Sequence, residues 1–189
     1  MATFGKVVDW ILVEIWSNFE EHSLGYPYMN YDLLATQALI LKSDGKVLDT
    51  AGRVPKFLLN TTNQVRVVVK HRNHLTAISN ELFSPDEDIE YDFSNNILQA
   101  IHPPYSTYPG LVLRNGVACL WAGDLNENYF IDNQDITLLL AQLRQAILGE
   151  YLTGDVNMDG FVDSLDESFI TRSNAKYGVF SSAYFFRKR

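Results

Sequence analysis

Two twelve-residue segments in the last third of the chain carry oxygen-bearing side chains at matching positions. The segments are residues 124–135 and 155–166, which repeat after 31 residues. Both have Asp or Asn at positions 1, 3, 5, 9 and 12, where a calcium loop of the EF-hand type supplies its ligands, while position 7 supplies a backbone carbonyl. The predicted calcium ligands are therefore Asp124, Asn126, Asn128, Phe130, Asp132, Asp135, Asp155, Asn157, Asp159, Phe161, Asp163 and Asp166.

The donor set predicts two Ca²⁺ ions held with unequal strength. Oxygen donors without sulfur or imidazole suit a hard cation. The first loop offers three carboxylates and the second offers four. Tyr129 also stands at a turn position where the second loop has Gly160, and a positive φ at a tyrosine costs about 1 kcal/mol. We expect the second loop to bind Ca²⁺ more tightly.

Each loop leads into a segment with helical periodicity. A single apolar stripe begins at Ile136 and continues to Leu148, with a spacing of three or four residues. After the second loop, Asp163 and Ser164 can cap a helix that contains Phe169 and Ile170. Gly149 and Gly178 lie near the predicted helix ends. The sequence thus predicts a duplicated unit of one loop followed by one helix.

The preceding part of the chain has the pattern of antiparallel β structure. Residues 7–16 are β-branched and aromatic on both alternating faces, which is typical of a central strand covered on both sides. Asp44 and Gly45 mark a tight turn. About seven short strand candidates in all, separated by turn signals, favour an antiparallel β-sandwich. Besides 7–16, they are residues 35–41, 46–49, 57–59, 65–70, 88–93 and 111–121.

Two resemblances follow from these patterns. The duplicated loop and helix resembles the dockerin family, whose two loops bind Ca²⁺ and whose paired helices dock onto a cohesin domain; residues 154–160 match it closely, whereas Tyr129 departs from it. Five ordered patches resemble a C-terminal surface-protein module of large exported proteins of Bacteroidetes-type bacteria, in which a calcium-loop segment follows directly. The patches are residues 8–14, 38–45, 67–75, 91–93 and 122–124.

The resulting fold prediction is a mainly β chain with two parts. Residues 1–121 form an antiparallel β-sandwich of the immunoglobulin or prealbumin kind. Residues 122–189 form a small dockerin-like helical pair with two EF-hand-type calcium loops, packed on the sandwich. No Pro- or Ser-rich linker separates the parts at residues 120–124, which favours rigid docking.

We expect a non-catalytic calcium-binding structural or binding module of an exported bacterial protein, located outside the cell or on its surface. Calcium would stabilise the helical unit, which is too small to bury much area by itself. One alternative is an adhesion module that binds a cohesin-type partner in trans. Another is a carbohydrate-binding module that uses the loops rich in tyrosine and proline at residues 26–31 and 103–109.

Composition narrows the range of partners. With 23 acidic and 15 basic residues, the net charge of −8 argues against nucleic acid or an anionic membrane as the main partner. A single cysteine excludes an internal disulfide framework. The sequence shows neither a signal peptide nor an apolar stretch long enough to span a membrane.

Residues 71–74, with the sequence His-Arg-Asn-His, invite a catalytic or metal-binding interpretation. If the strand at residues 65–70 continues, His71 and His74 face opposite sides and cannot share one ligand, unless the backbone breaks near Asn73. We therefore expect a structural role, with His71 and Asn73 bonded to neighbouring loops. Arg72 would then pair with a carboxylate, such as one of those at residues 86–88.

Overall fold

The computed structural model describes residues 6–17, 31–103, 106–145, 151–174, 179–181 and 183. These residues form mainly antiparallel β structure with two α-helices, which is consistent with the predicted β-sandwich-like class. The strands are β1 (Val7–Ser17), β2 (Leu33–Lys42), β3 (Val47–Leu48), β4 (Val65–His71), β5 (His74–Ile78), β6 (Val112–Arg114), β7 (Val117–Cys119), β8 (Phe130–Ile131) and β9 (Val179–Phe180). The helices are α1 (Asn133–Gln145) and α2 (Ser164–Asn174), with a short 3₁₀ helix at Ile97–Gln99.

The largest sheet has five antiparallel strands in the order β3-β2-β1-β4-β5. As predicted, the β-branched and aromatic β1 lies in the middle, between β2 and β4. Strands β6 and β7 form a separate hairpin, and β8 pairs with β9. The described residues therefore contain one large sheet flanked by short ones.

The two faces of β1 have different surroundings. Ile11 and Val13 pack on one face with Leu39 of β2. On the other face, Trp16 is buried with Val68 and Ile78, whereas Trp10 is 49% exposed. This second face, which we call the Trp10 face, is thus covered at the Trp16 end and open at the Trp10 end. The prediction that β1 is covered on both sides is wrong for its first half.

Two strand predictions were also wrong, and one strand was missed. Residues 57–59 and 88–93 form no strand, and Leu58 is 98% exposed. Conversely, β5 was not predicted, although it pairs with β4 to form a hairpin whose turn is Arg72 and Asn73. Short apolar runs cannot by themselves distinguish a paired strand from an extended loop, because pairing depends on distant residues.

The helices pack onto the large sheet through one buried cluster. Leu139 of α1 and Ile170 of α2 lie in this cluster together with Leu75 of β5 and Trp121. Leu139 and Ile170 are completely buried, as the apolar stripe of each helix predicts. Leu143 packs against the same cluster. Ile147, which belongs to the predicted stripe, lies outside the described residues.

A search of the described helices finds none with both the length and the apolar character needed to cross a membrane.

Candidate functional site

The two predicted calcium loops are folded by the same set of hydrogen bonds. Eight bonds from a backbone N–H to an Asp or Asn side chain occur at equivalent positions in both loops. In the first loop, Asp124 accepts from two of these N–H groups and Asp135 from three. Asp155 and Asp166 do the same in the second. The 31-residue sequence repeat is therefore also a repeat of local structure.

The backbone conformations of the loops repeat as well. The fourth position has positive φ in both loops, 56° at Glu127 and 62° at Met158. The sixth position does too, with 74° at Tyr129 and 92° at Gly160. The strain expected at Tyr129 is therefore present, whereas Gly160 adopts the same conformation without a Cβ penalty. In each loop these turns lie between the carboxylates at positions 1 and 12.

The carboxylates at positions 1 and 12 are buried in both loops. Asp124 is 3% exposed, Asp155 is 8% exposed, and Asp135 and Asp166 are completely buried. Burial raises the pKa of Asp124 to about 7, with the charge of Asp135 adding to the effect, and burial also raises the pKa of Asp135. No basic side chain among the described residues forms an ion pair with either of these two. A bound cation would offset the cost of burying their charges.

The described residues contain no group of three or more His, Cys, Asp or Glu side chains placed to hold a metal ion. A calcium site in these loops would therefore need the mixed donors of the sequence pattern, including the amide oxygens of Asn126, Asn128 and Asn157 and backbone carbonyls. Each carboxylate oxygen that accepts one N–H retains a second lone pair. The chemistry of the donors thus fits Ca²⁺, which accepts six to eight such oxygens.

Asn73 connects the β4–β5 turn to the second loop. Its side chain is completely buried, and its Nδ2 donates to the backbone oxygens of Thr153, at 3.0 Å, and Asp155, at 2.8 Å. Its own backbone oxygen accepts from Gly123 N, just before the first loop. The expectation that Asn73 bonds a neighbouring loop is confirmed. One turn of the large sheet therefore positions the starts of both loops.

Helix α1 makes a second connection to the same place. Gln142 donates from Nε2 to the hydroxyl of Thr153 and accepts from the backbone N–H of Gly154 through Oε1. A Cβ at Gly154 would lie 2.4 Å from that oxygen, so a larger residue would displace the Gln142 side chain from this contact. The helix that follows the first loop thereby holds the beginning of the second loop.

His71 and His74 converge, which is the exception that the sequence allowed if the backbone breaks near Asn73. They are partners across the β4–β5 hairpin, and their Nδ1 atoms are 2.9 Å apart. The strand does not continue past His71, because the chain turns at Arg72 and Asn73, which brings the two imidazoles to one side. His71 Nε2 also lies 2.9 Å from Oδ2 of Asp9, which is buried in β1.

Arg72 pairs with Asp9 and not with the carboxylates at residues 86–88. Its Nε lies 3.3 Å from Asp9 Oδ2, its Nη1 donates to the backbone oxygen of Leu152, and its guanidinium stacks 3.9 Å from the centre of the Tyr151 ring. The Tyr151 hydroxyl donates to Asp9 Oδ1. Sequence reasoning missed Asp9 and Tyr151, although a charged residue within an apolar strand was a signal for Asp9.

Of the tyrosine-rich segments, residues 18–30, 104 and 105 lie outside the described residues. Tyr31 stacks on Trp16 with 3.7 Å between ring centroids, and Tyr108 packs edge-on against Trp121. These two tyrosines cover buried tryptophans. Neither tyrosine ring is exposed in a way that would let a ligand stack on it.

A cleft of about 450 Å³ lies between the open end of the Trp10 face and the loop unit. Its walls come from β1, from the β4–β5 hairpin, from the first loop and from Tyr151. Comparisons with protein-family models, with curated proteins and with solved structures found no match to this chain.

Proposed function

We propose that this chain is a non-catalytic calcium-binding module of an exported bacterial cell-surface protein, in which two Ca²⁺ ions stabilise the helical unit against the large sheet. The observation that carries this proposal is the repeated hydrogen-bond pattern, which places buried aspartates at positions 1 and 12 of both loops. The resemblance to the Bacteroidetes-type surface module supports the extracellular setting. Millimolar calcium outside the cell would fill even weak sites, with Kd values of about 10⁻⁴–10⁻³ M.

The structural role is supported by where the loops lie. Asn73 and Gln142 contact the start of the second loop, and Leu139 is buried with Leu75 and Trp121. Calcium binding to the loops would therefore fix the ends of both helices relative to the hairpin. Because the apolar face of α1 is already buried against the rest of the chain, this arrangement disfavours docking to a cohesin-type partner in trans, the alternative use of a dockerin-like pair.

Calcium titration of matched variants tests the proposal. Asp135→Asn and Asp166→Asn remove one charge from the same position of the two loops. We expect two binding events in isothermal titration calorimetry, with the tighter event lost in Asp166→Asn and the weaker one lost in Asp135→Asn. Absence of calcium binding to the unmodified chain, up to about 10 mM, would refute the proposal.

A further inference from the structure

We propose that the cleft at the open end of the Trp10 face binds a neutral saccharide, stacked on Trp10 and hydrogen-bonded to His74. This inference goes beyond the calcium proposal, and none of its steps requires a bound ion. The site is also distinct from the tyrosine-rich segments. The cleft volume, about 450 Å³, lies within the range of small-molecule sites, about 300–1,000 Å³.

The hydrogen-bond partners of the two histidines determine which ring nitrogen of each carries the hydrogen. A carboxylate only accepts, so His71 donates from Nε2 to Asp9; burial lowers the pKa of His71, so the ring is neutral and its Nδ1 accepts. That Nδ1 and Asn73 Oδ1 lie 3.0 Å apart and are then two acceptors that converge on one donor. His74 Nδ1 lies 2.9 Å from that nitrogen and 2.7 Å from Asn73 Oδ1. Asn73 Oδ1 is an acceptor, because the amide nitrogen of this residue donates to the second loop. His74 Nδ1 therefore carries the hydrogen, and its Nε2 carries a lone pair.

That lone pair is available to a ligand in the cleft. His74 lines the cleft, and its Nε2 makes no hydrogen bond to any residue that the structure describes. His74 is only partly buried and lines the cleft, so its ring can be reached from the cleft. Burial lowers the pKa of His74 to about 3, which agrees with a neutral ring that accepts a hydrogen bond from a ligand hydroxyl.

The charged residues of the cleft are already paired or oppose one another. Lys70 Nζ lies 2.8 Å from Glu14 Oε1, and Arg72 is engaged by Asp9. Asp124 and Glu127 contribute acidic side chains to the opposite wall. The acidic wall disfavours an anionic ligand, and the positive charges of Lys70 and Arg72 disfavour a cationic one. A neutral ligand that carries hydroxyl groups suits this lining.

Trp10 supplies the apolar surface that such a ligand requires. It is 49% exposed, lines the cleft, and its indole N–H has no hydrogen-bond partner in the described part of the chain. Leu12, beside it on the same face of β1, is 37% exposed. An exposed indole with a free donor can stack on the C–H face of a sugar ring and donate to one of its hydroxyls. The ligand class that matches the lining is therefore a saccharide.

The test is a glycan array that contains both neutral and charged glycans, probed in calcium-containing buffer with the full chain and two variants. Trp10→Ala removes the stacking surface, and Leu113→Ala, at a residue that is 57% exposed and outside the cleft, is the matched control. Thermal unfolding of each variant verifies that it is folded. We expect binding to one or more neutral glycans, weakened about tenfold or more in Trp10→Ala and unchanged in Leu113→Ala.

Three results would overturn this inference. The first is an array without any bound glycan. The second is binding that survives Trp10→Ala, which would locate the site elsewhere. The third is binding restricted to sulfated or sialylated glycans, which would contradict the neutral lining of the cleft.

Discussion

Replacing Asn73 tests whether the hairpin turn holds the second predicted calcium loop through hydrogen bonds. Asn73→Ala removes both donors to the loop and leaves the backbone oxygens of Thr153 and Asp155 without them. A buried polar group that loses its partner costs about 1–3 kcal/mol, so two such groups correspond to about 2–6 kcal/mol of unfolding free energy. For a domain of this size, each kcal/mol lowers Tm by about 2–4 °C, so we expect a decrease of about 10 °C.

Asn73→Asp tests the contribution of hydrogen bonding while the side-chain volume stays nearly the same. The aspartate has nearly the same volume but places a carboxylate oxygen where Nδ2 donated, so it faces two backbone oxygens. We expect it to be at least as destabilising as Asn73→Ala. Asn63→Ala, at an exposed position, is the control and should change the stability by less than about 0.5 kcal/mol. Thermal unfolding followed by circular dichroism at fixed calcium measures all three, and a Tm for Asn73→Asp close to that of the unmodified chain would refute the reasoning.

Three further predictions concern the loop backbone, the shared core and the buried histidines. Gly160→Ala should lower the free energy of unfolding by about 1 kcal/mol in urea, because Gly160 has a φ of 92° and no atom near the added Cβ, so the cost comes from the backbone alone. Met158→Gly, at a φ of 62°, should raise it. A change of the same sign in both variants would contradict this prediction. Leu139→Ala should lower the free energy of unfolding by about 2–5 kcal/mol, because Leu139 is completely buried. Leu138→Ala, at a residue that is 40% exposed, should lower it by less than about 1 kcal/mol. Equal losses would show that α1 is not packed as described. Because the pKa of His74 is lowered from 6.5 to about 3, its neutral ring stabilises the fold above pH 6.5, and this stability decreases as the pH falls toward 3. Between pH 7 and pH 5 the unmodified chain should therefore lose about 2 kcal/mol of unfolding free energy relative to His74→Gln, whose comparison cancels the opposite contribution of Asp124. Parallel pH profiles of the two proteins would exclude this role.

The repeated structure of the two loops was the easiest feature to predict, because the pattern that defines it is local. Twelve consecutive residues determine which side chains can converge, and the helices begin where the final aspartate of each loop accepts from backbone N–H groups. Strands β1, β2 and β4 were also predictable, since β1 and β4 are β-branched runs and β2 is a long, mainly apolar run. In contrast, β5 is short and begins with a histidine, so only its pairing with β4 identifies it.

The cleft could not have been predicted from the sequence, since distant segments form it. Tyr151 and Asp9 are 142 residues apart in sequence, yet they are joined by a hydrogen bond. The pairing of His71 with His74 depends on a turn at Arg72 and Asn73. Asn73 favours a turn, but Arg72 does not, and no glycine or proline accompanies them to indicate a hairpin.

The thermal stability of the chain in calcium and in EDTA tests the central claim most directly. At about 10 mM Ca²⁺, sites with Kd values of about 10⁻⁴–10⁻³ M would each add about 1.4–2.7 kcal/mol to the free energy of unfolding. We therefore expect Tm to be several degrees higher in calcium than in EDTA, and higher than in about 10 mM Mg²⁺, which controls for ionic strength. A Tm that is the same in all three solutions would contradict a structural role for calcium.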